Sequence, residues 1–138
     1  MAIDWGQRRI GIALSDESRA IASPHKVIQR TGSLDRDLEH IVSLTREHDV
    51  CQVVFGLPVR LDGSSGPEVS GVLEVLVKLE QKVDIPVRTW DERYSTAAAE
   101  RALIGGNVSR KKRRDLVDQV AAALILQSYL DSGSAEGS

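Results

Sequence analysis

A chain of 138 residues is long enough for one domain with a substantial core and too short for two. Hydrophobic residues make up 41% and charged residues 28%, the balance of a soluble globular protein, and no apolar run is long enough to cross a bilayer. The net charge of −2 weighs against indiscriminate coating of nucleic acid, yet five cations stand together at Arg110–Arg114.

Residues 1–5 begin a strand. Over 9–15 the pattern alternates: Ile10, Ile12 and Leu14 share one face, and Gly11 and Ala13 share the other, where small side chains admit a close neighbour. The two segments read as a hairpin turned around "WGQR". Pro24 breaks the next segment, and 26–29 is a third short strand. Residues 33–48 change to helical spacing, with Leu34, Leu38, Ile41, Val42 and Thr45 on one side and Ser33 or Thr31 as the cap.

"CQVVFG" (51–56) is a buried, parallel-type strand, with Cys51 as a small core filler. "GLPVRLDGSSGPE" follows as a loop, and Pro67 fits the first turn of a helix that carries Val69, Val72, Leu73, Leu76, Val77 and Leu79. "VRTW" (87–90) is a strand ending on Asp91-Glu92. Ser95 caps a helix to about Ile104, and the last helix runs from the basic stretch to about Leu130. The low-complexity tail, 132–138, is expected to be disordered, leaving a single domain over 1–131. The order predicts an α/β fold in which an antiparallel meander and β-α-β units form one mixed sheet with helices on its faces. In such sheets ligands lie beyond the carboxyl ends of the parallel strands.

Three acids stand out along that rim. Asp4 precedes Gly6 at the end of the first strand, where it either caps its own turn or faces a site. Alternation sends Asp91 and Glu92 to opposite faces, one into the rim and one away, with a cap or a salt bridge as the alternative. Asp118 lies inside the apolar helix "DLVDQVAAALILQSYL", an unfavourable place for an aspartate without a task. Asp115 suits the helix start. Carboxylates from separated segments meeting at one rim suit a hard cation, Mg²⁺ or Mn²⁺. Two such ions can serve phosphodiester cleavage.

Zinc spacing is absent. His25, His40 and His48 look incidental, and Ser15, Ser95 and Ser128 have no evident base. Arg8 and Arg9 adjoin Asp4, and Arg110, Lys111, Lys112, Arg113 and Arg114 adjoin the helix of Asp118, so both groups can hold a phosphate backbone. Arg93 can tie Asp91 or a phosphate. The lone cysteine and the lack of a secretory pattern in the first residues suit a reducing cytoplasm and no membrane.

Four blocks, "DWGQRRIGIALSD", "GLPVRLDGSSGP", "DERYSTAAAERAL" and "DQVAAALILQSYLD", resemble in order and spacing the YqgF/RuvX family of bacterial proteins. The resemblance covers nearly the whole chain except the tail. It implies an RNase H-like fold and a metal-dependent nuclease, described both as a pre-16S rRNA processing enzyme and as a Holliday junction resolvase. The family's three acids fall on Asp4, Glu92 and Asp118, with Mg²⁺ or Mn²⁺ as cofactor and a 5′-phosphate as product.

Gly56, Pro58, Asp62 and Gly63 would border the cleft. Position 8 is Arg where the family usually has Lys, which keeps the charge. On this reading the partner is nucleic acid, with RNA favoured and branched DNA possible, and the protein is a monomer or a homodimer. A non-catalytic RNA- or ribosome-binding module is the rival of another class.

Overall fold

A computed structural model describes residues 1–57, 67–95 and 110–133, without the side chains of 67–70 and 110–119. Five strands form one sheet in the order β3-β2-β1-β4-β5. They are β1 (Ala2–Trp5), β2 (Arg9–Ser15), β3 (Ala22–Gln29), β4 (Val53–Leu57) and β5 (Val87–Asp91). β1, β2 and β3 are antiparallel neighbours, whereas β4 pairs parallel with β1 and β5 parallel with β4. Helices α1 (Leu34–Glu47), α2 (Pro67–Lys82) and α3 (Arg110–Asp131) complete the described elements, with a single 3₁₀ turn at Glu92–Tyr94. The mixed sheet flanked by helices is the one the sequence predicts.

Strand alternation sorts the side chains into two layers. Ile3, Ile10, Ile12, Val53 and Phe55 pack with Leu38 and Ile41 of α1 and with Val72, Val75, Leu76 and Leu79 of α2. Ala2, Ala13 and Val54 face the other way, onto Ala121, Ala122, Ile125, Leu126 and Tyr129 of α3. Small residues on both partners let that helix lie close to the sheet, so the Gly11/Ala13 face is covered as its composition suggests. Burying each large aliphatic side chain contributes about 1.5–3 kcal/mol. Ser33 is the cap of α1, its hydroxyl accepting from the Arg36 N–H.

Three details depart from the sequence reading. β3 does not stop at Pro24 but runs through it from Ala22. It is an edge strand with a register shift opposite Ile12/Ala13, so the missing N–H costs no ladder bond. Cys51 is exposed rather than buried, because β4 starts only at Val53. Its Sγ instead accepts from the Arg19 guanidinium at 3.3 Å. In α2 the core stripe includes Val75, while Leu73 and Val77 face outward; Val69 is among the undescribed side chains. The helix predicted over 95–104 and most of the tail lie outside the described residues.

Candidate active site

Asp4 is the penultimate residue of β1 and shares the face of Ala2, the one α3 covers. β1 can end there because Gly6 closes the hairpin, its N–H donating to the Arg9 carbonyl at 2.9 Å. A Cβ on Gly6 would sit 2.6 Å from that oxygen, so only glycine fits. Asp4 is 8% exposed and Glu92 4%, two buried acids at the carboxyl ends of parallel strands. Buried carboxylates need compensating partners, which protein donors or a cation can supply.

Glu92 follows β5 directly. Its inward turn is set by the 3₁₀ helix, in which the Asp91 side chain caps the Arg93 N–H at 2.8 Å. Arg93 also holds Asp91 through its guanidinium, with Nη2–Oδ2 at 2.6 Å and Nε within 3.2 Å of both oxygens. Those hydrogen bonds hold the Asp91 carboxyl below its ordinary range. Of the Asp91-Glu92 pair, Glu92 is thus the buried member and Asp91 the ion-paired one. Arg93, expected at Asp91 or at a phosphate, is engaged with Asp91.

Gly56 lies between the two acids. It pairs in register with Trp90 of β5, and the β1–β4 register ends at Ile3↔Phe55, one step short of Asp4 and Gly56. A Cβ on Gly56 would lie 3.4 Å from Glu92 Oε1 and 2.8 Å from Ile125 Cδ1. The missing side chain therefore leaves the room in which the Glu92 carboxylate sits. Gly56 belongs to β4 itself, while Pro58, Asp62 and Gly63 lie outside the described residues.

α3 runs antiparallel to β4. Tyr129 meets the start of that strand, its hydroxyl accepting from Gln52 Nε2 at 2.9 Å, and Ile125 meets Gly56 near the end. Continuing toward its N-terminus, the helix leads past the carboxyl rim. Position 118 lies seven residues before Ile125, close to two turns or about 10 Å. The side chains of Asp118 and of Arg110, Lys111, Lys112, Arg113 and Arg114 lie outside the described residues. Among the described residues no three His, Cys, Asp or Glu side chains are grouped to hold a metal ion. Glu92 offers carboxylate oxygens beside the glycine gap and Asp4 a second buried carboxylate at the end of β1, a donor type that fits a hard divalent cation. Arg8 is exposed and Arg9 half-buried at the hairpin turn next to Asp4.

A model of the RuvX family, described as Holliday junction resolvase, matches residues 1–132. This chain belongs to the RuvX family. Curated relatives named "Putative pre-16S rRNA nuclease" agree. One from Syntrophomonas wolfei is 43% identical over 97% of this chain and 94% of its own. Another, from Desulforudis audaxviator, is 46% identical over 96% of this chain and 93% of its own. Among solved structures, Thermus thermophilus RuvC in complex with a Holliday junction substrate superposes with a TM-score of 0.58 at 15% identity. That match covers 96% of this chain and 94% of RuvC. At that identity the likeness speaks to the fold, which is RNase H-like. The family and the nuclease activity are those the sequence motifs imply.

Around Asp4 the structure adds residues that the motifs do not single out. Arg30 lies over the Trp5 ring at 4.8 Å, and its Nη1 donates to the carbonyls of Gly6 at 3.3 Å and Gln7 at 3.2 Å. Its Nε faces Asp37 Oδ2 at 3.5 Å. Asp37, 1% exposed, accepts from the Thr31 N–H and hydroxyl through its other oxygen. This cluster ties the hairpin turn after Asp4 to the start of α1. An aspartate in the first turn of a helix reads from sequence as a dipole partner, and that ordinary role masks the clamp. The serines have structural tasks: Ser95 Oγ donates to the Glu92 carbonyl and Ser128 Oγ to the Tyr94 carbonyl.

Proposed function

We propose that this RuvX chain hydrolyses phosphodiester bonds at the carboxyl rim of the parallel strands, with Asp4, Glu92 and Asp118 as the three acids and a divalent cation, Mg²⁺ or Mn²⁺, as cofactor. The single observation that carries the reading is the burial of Asp4 and Glu92 at the carboxyl ends of β1 and β5, the two strands that flank β4 in the parallel part of the sheet. Helical periodicity supports the third member, since a residue seven before Ile125 falls on the same stripe of α3.

When bound, such ions activate a water and stabilise the leaving oxygen. The chain's own part is to hold the acids in place: Gly56 gives Glu92 its room, Asp91–Arg93 sets its turn, and Arg30 steadies the hairpin that presents Asp4. Arg8, Arg9 and the Arg110–Arg114 run neutralise the backbone of a strand that the acids alone would repel. The substrate is RNA, as the relatives' names suggest, and the reaction is processing of a precursor 16S rRNA end in the cytoplasm. Resolution of four-way DNA is the second reading, favoured by the family's description and requiring two copies with facing sites.

The test compares cleavage of a precursor rRNA fragment and of four-way DNA, with Mg²⁺ or Mn²⁺, by wild type and by Asp4→Asn, Glu92→Gln and Asp118→Asn. Each variant is expected to lose more than about a hundredfold, the upper end of what an outer-shell partner of a metal contributes. Strand binding should survive or tighten, because a repelling charge is gone. EDTA should abolish cleavage, and added Mn²⁺ should restore it. Full turnover by Asp118→Asn would remove that residue from the site, and full turnover by Glu92→Gln would overturn the reading.

A further inference from the structure

Tyr94 is 65% exposed, the most exposed of the large hydrophobic side chains described, and it stands two residues beyond buried Glu92. The chain has only two Trp, two Tyr and one Phe, and three of these five form a single row that ends at Tyr94. Tyr129, 2% exposed, meets Trp90 edge-on at 5.3 Å, and Trp90 meets Tyr94 in the same manner at 5.3 Å. The row therefore runs from the core to the surface.

The outermost ring is not on a loose loop. Ser128 Oγ donates to the Tyr94 carbonyl at 2.6 Å and accepts from Trp90 Nε1 at 3.1 Å. The Ser95 N–H and hydroxyl both donate to the Glu92 carbonyl, at 3.1 and 2.9 Å. The backbone that carries Tyr94 is thus bonded to α3 on one side and to the acid's own turn on the other. An exposed aromatic ring on a backbone held this firmly has less ordering entropy to lose on binding, which favours a contact surface. Along β5 a groove of about 490 Å³ is lined by Val87, Arg88, Thr89, Trp90 and Tyr129, with Glu80 of α2 as its one acid. It brings a cationic side chain to the same strip as the row, a pairing of charge and ring that suits a nucleotide chain.

We propose that Tyr94 is a stacking platform for an unpaired base of the substrate strand, one that lies beside the phosphate held at Asp4 and Glu92. The proposal rests on the nuclease reading for its location, but the ring meets a base and not the scissile bond. A stacked base fixes where along the strand the cut falls, and it requires that the strand be single at that point. Tyr94 is a binding and positioning residue here, not a catalytic one.

The experiment measures affinity and cleavage with a fluorescein-labelled single-stranded RNA of about ten nucleotides, for wild type, Tyr94→Phe and Tyr94→Leu. A second RNA carries one abasic ribose beside the cut. Tyr94→Phe should match wild type, while Tyr94→Leu should bind roughly tenfold more weakly. The abasic RNA should weaken wild type to a similar degree and leave Tyr94→Leu unaffected. Thermal melting of both variants checks that the fold is kept. Equal affinity of Tyr94→Leu and wild type, with a change only in melting temperature, would overturn the proposal and make Tyr94 a packing residue. So would failure of wild type to bind the strand at all. Binding that depends on Tyr94 without any cleavage would uphold the platform and sink the nuclease reading; cleavage indifferent to Tyr94 would do the reverse.

Discussion

At Gly56 a single methyl group would meet Ile125 and the Glu92 carboxylate together. Gly56→Ala is therefore expected to cost about 1–3 kcal/mol of stability, the usual cost of overpacking, and to slow cleavage by displacing Glu92. A denaturant melt and a rate measurement on the same sample check both effects. Asp91 makes a second, pH-dependent prediction. Its carboxyl is held below the ordinary value of 3.8, chiefly by the Arg93 side-chain hydrogen bonds. A group whose folded pKa is depressed adds stability that is full above its unfolded pKa and fades as pH falls toward the folded one. The stability gap between wild type and Arg93→Met should be flat above about pH 5 and shrink below about pH 4. The pair is partly exposed, so the plateau should stay under about 1 kcal/mol. Urea melts at stepped pH follow it, and a gap that persists undiminished to about pH 2 would show that Arg93 acts through packing instead.

Among the elements, the β1–β2 hairpin depends on a partner from outside it. Arg30 joins the turn carbonyls, the Trp5 ring and buried Asp37, and Trp5 in turn stacks on Phe55 at 6.2 Å. Asp37→Ala leaves Arg30 without its counter-charge and should lower stability by about 3 kcal/mol. The milder Arg30→Met keeps the apolar packing on Trp5 but frees the turn. In that variant the cleavage rate should fall more than strand affinity does, since Asp4 is the residue next to the loosened turn. The close seat of α3 is an element-level property too. Ala2 and Ala13 meet Ala121 and Ala122, all fully buried. Ala122→Leu should cost about 1–3 kcal/mol and tilt the helix that carries Asp118, as a melt and a cleavage assay would show.

For the whole molecule, a net charge of −2 and a cluster of five cations favour binding that is local and salt-sensitive. Replacing Arg113 and Arg114 together by Gln should reduce the log–log salt slope of single-strand binding by roughly 1.4, about 0.7 for each phosphate no longer neutralised; an unchanged slope would place the strand elsewhere. The span of β2, Arg9–Ser15, is the span its alternation predicts, because side-chain direction along a strand is set by covalent geometry a residue at a time. The same holds for the helical stripe of α1. Other features needed neighbours that lie far along the chain. Pro24 is harmless because β3 is an edge, Cys51 is exposed because β4 begins two residues later, and Leu73 and Val77 face outward because α2 turns Val75 inward. Tyr94 reads as an ordinary residue until Trp90, Ser128 and Tyr129 are assembled around it. The sequence by itself determined β2, α1, the order of the described strands and helices, the candidate acids and the family. Only the tertiary structure decided that Glu92 and not Asp91 is buried, that Gly56 makes its room, and that Asp4 shares its face, because such choices depend on which distant surfaces pack together, and local periodicity carries no record of that.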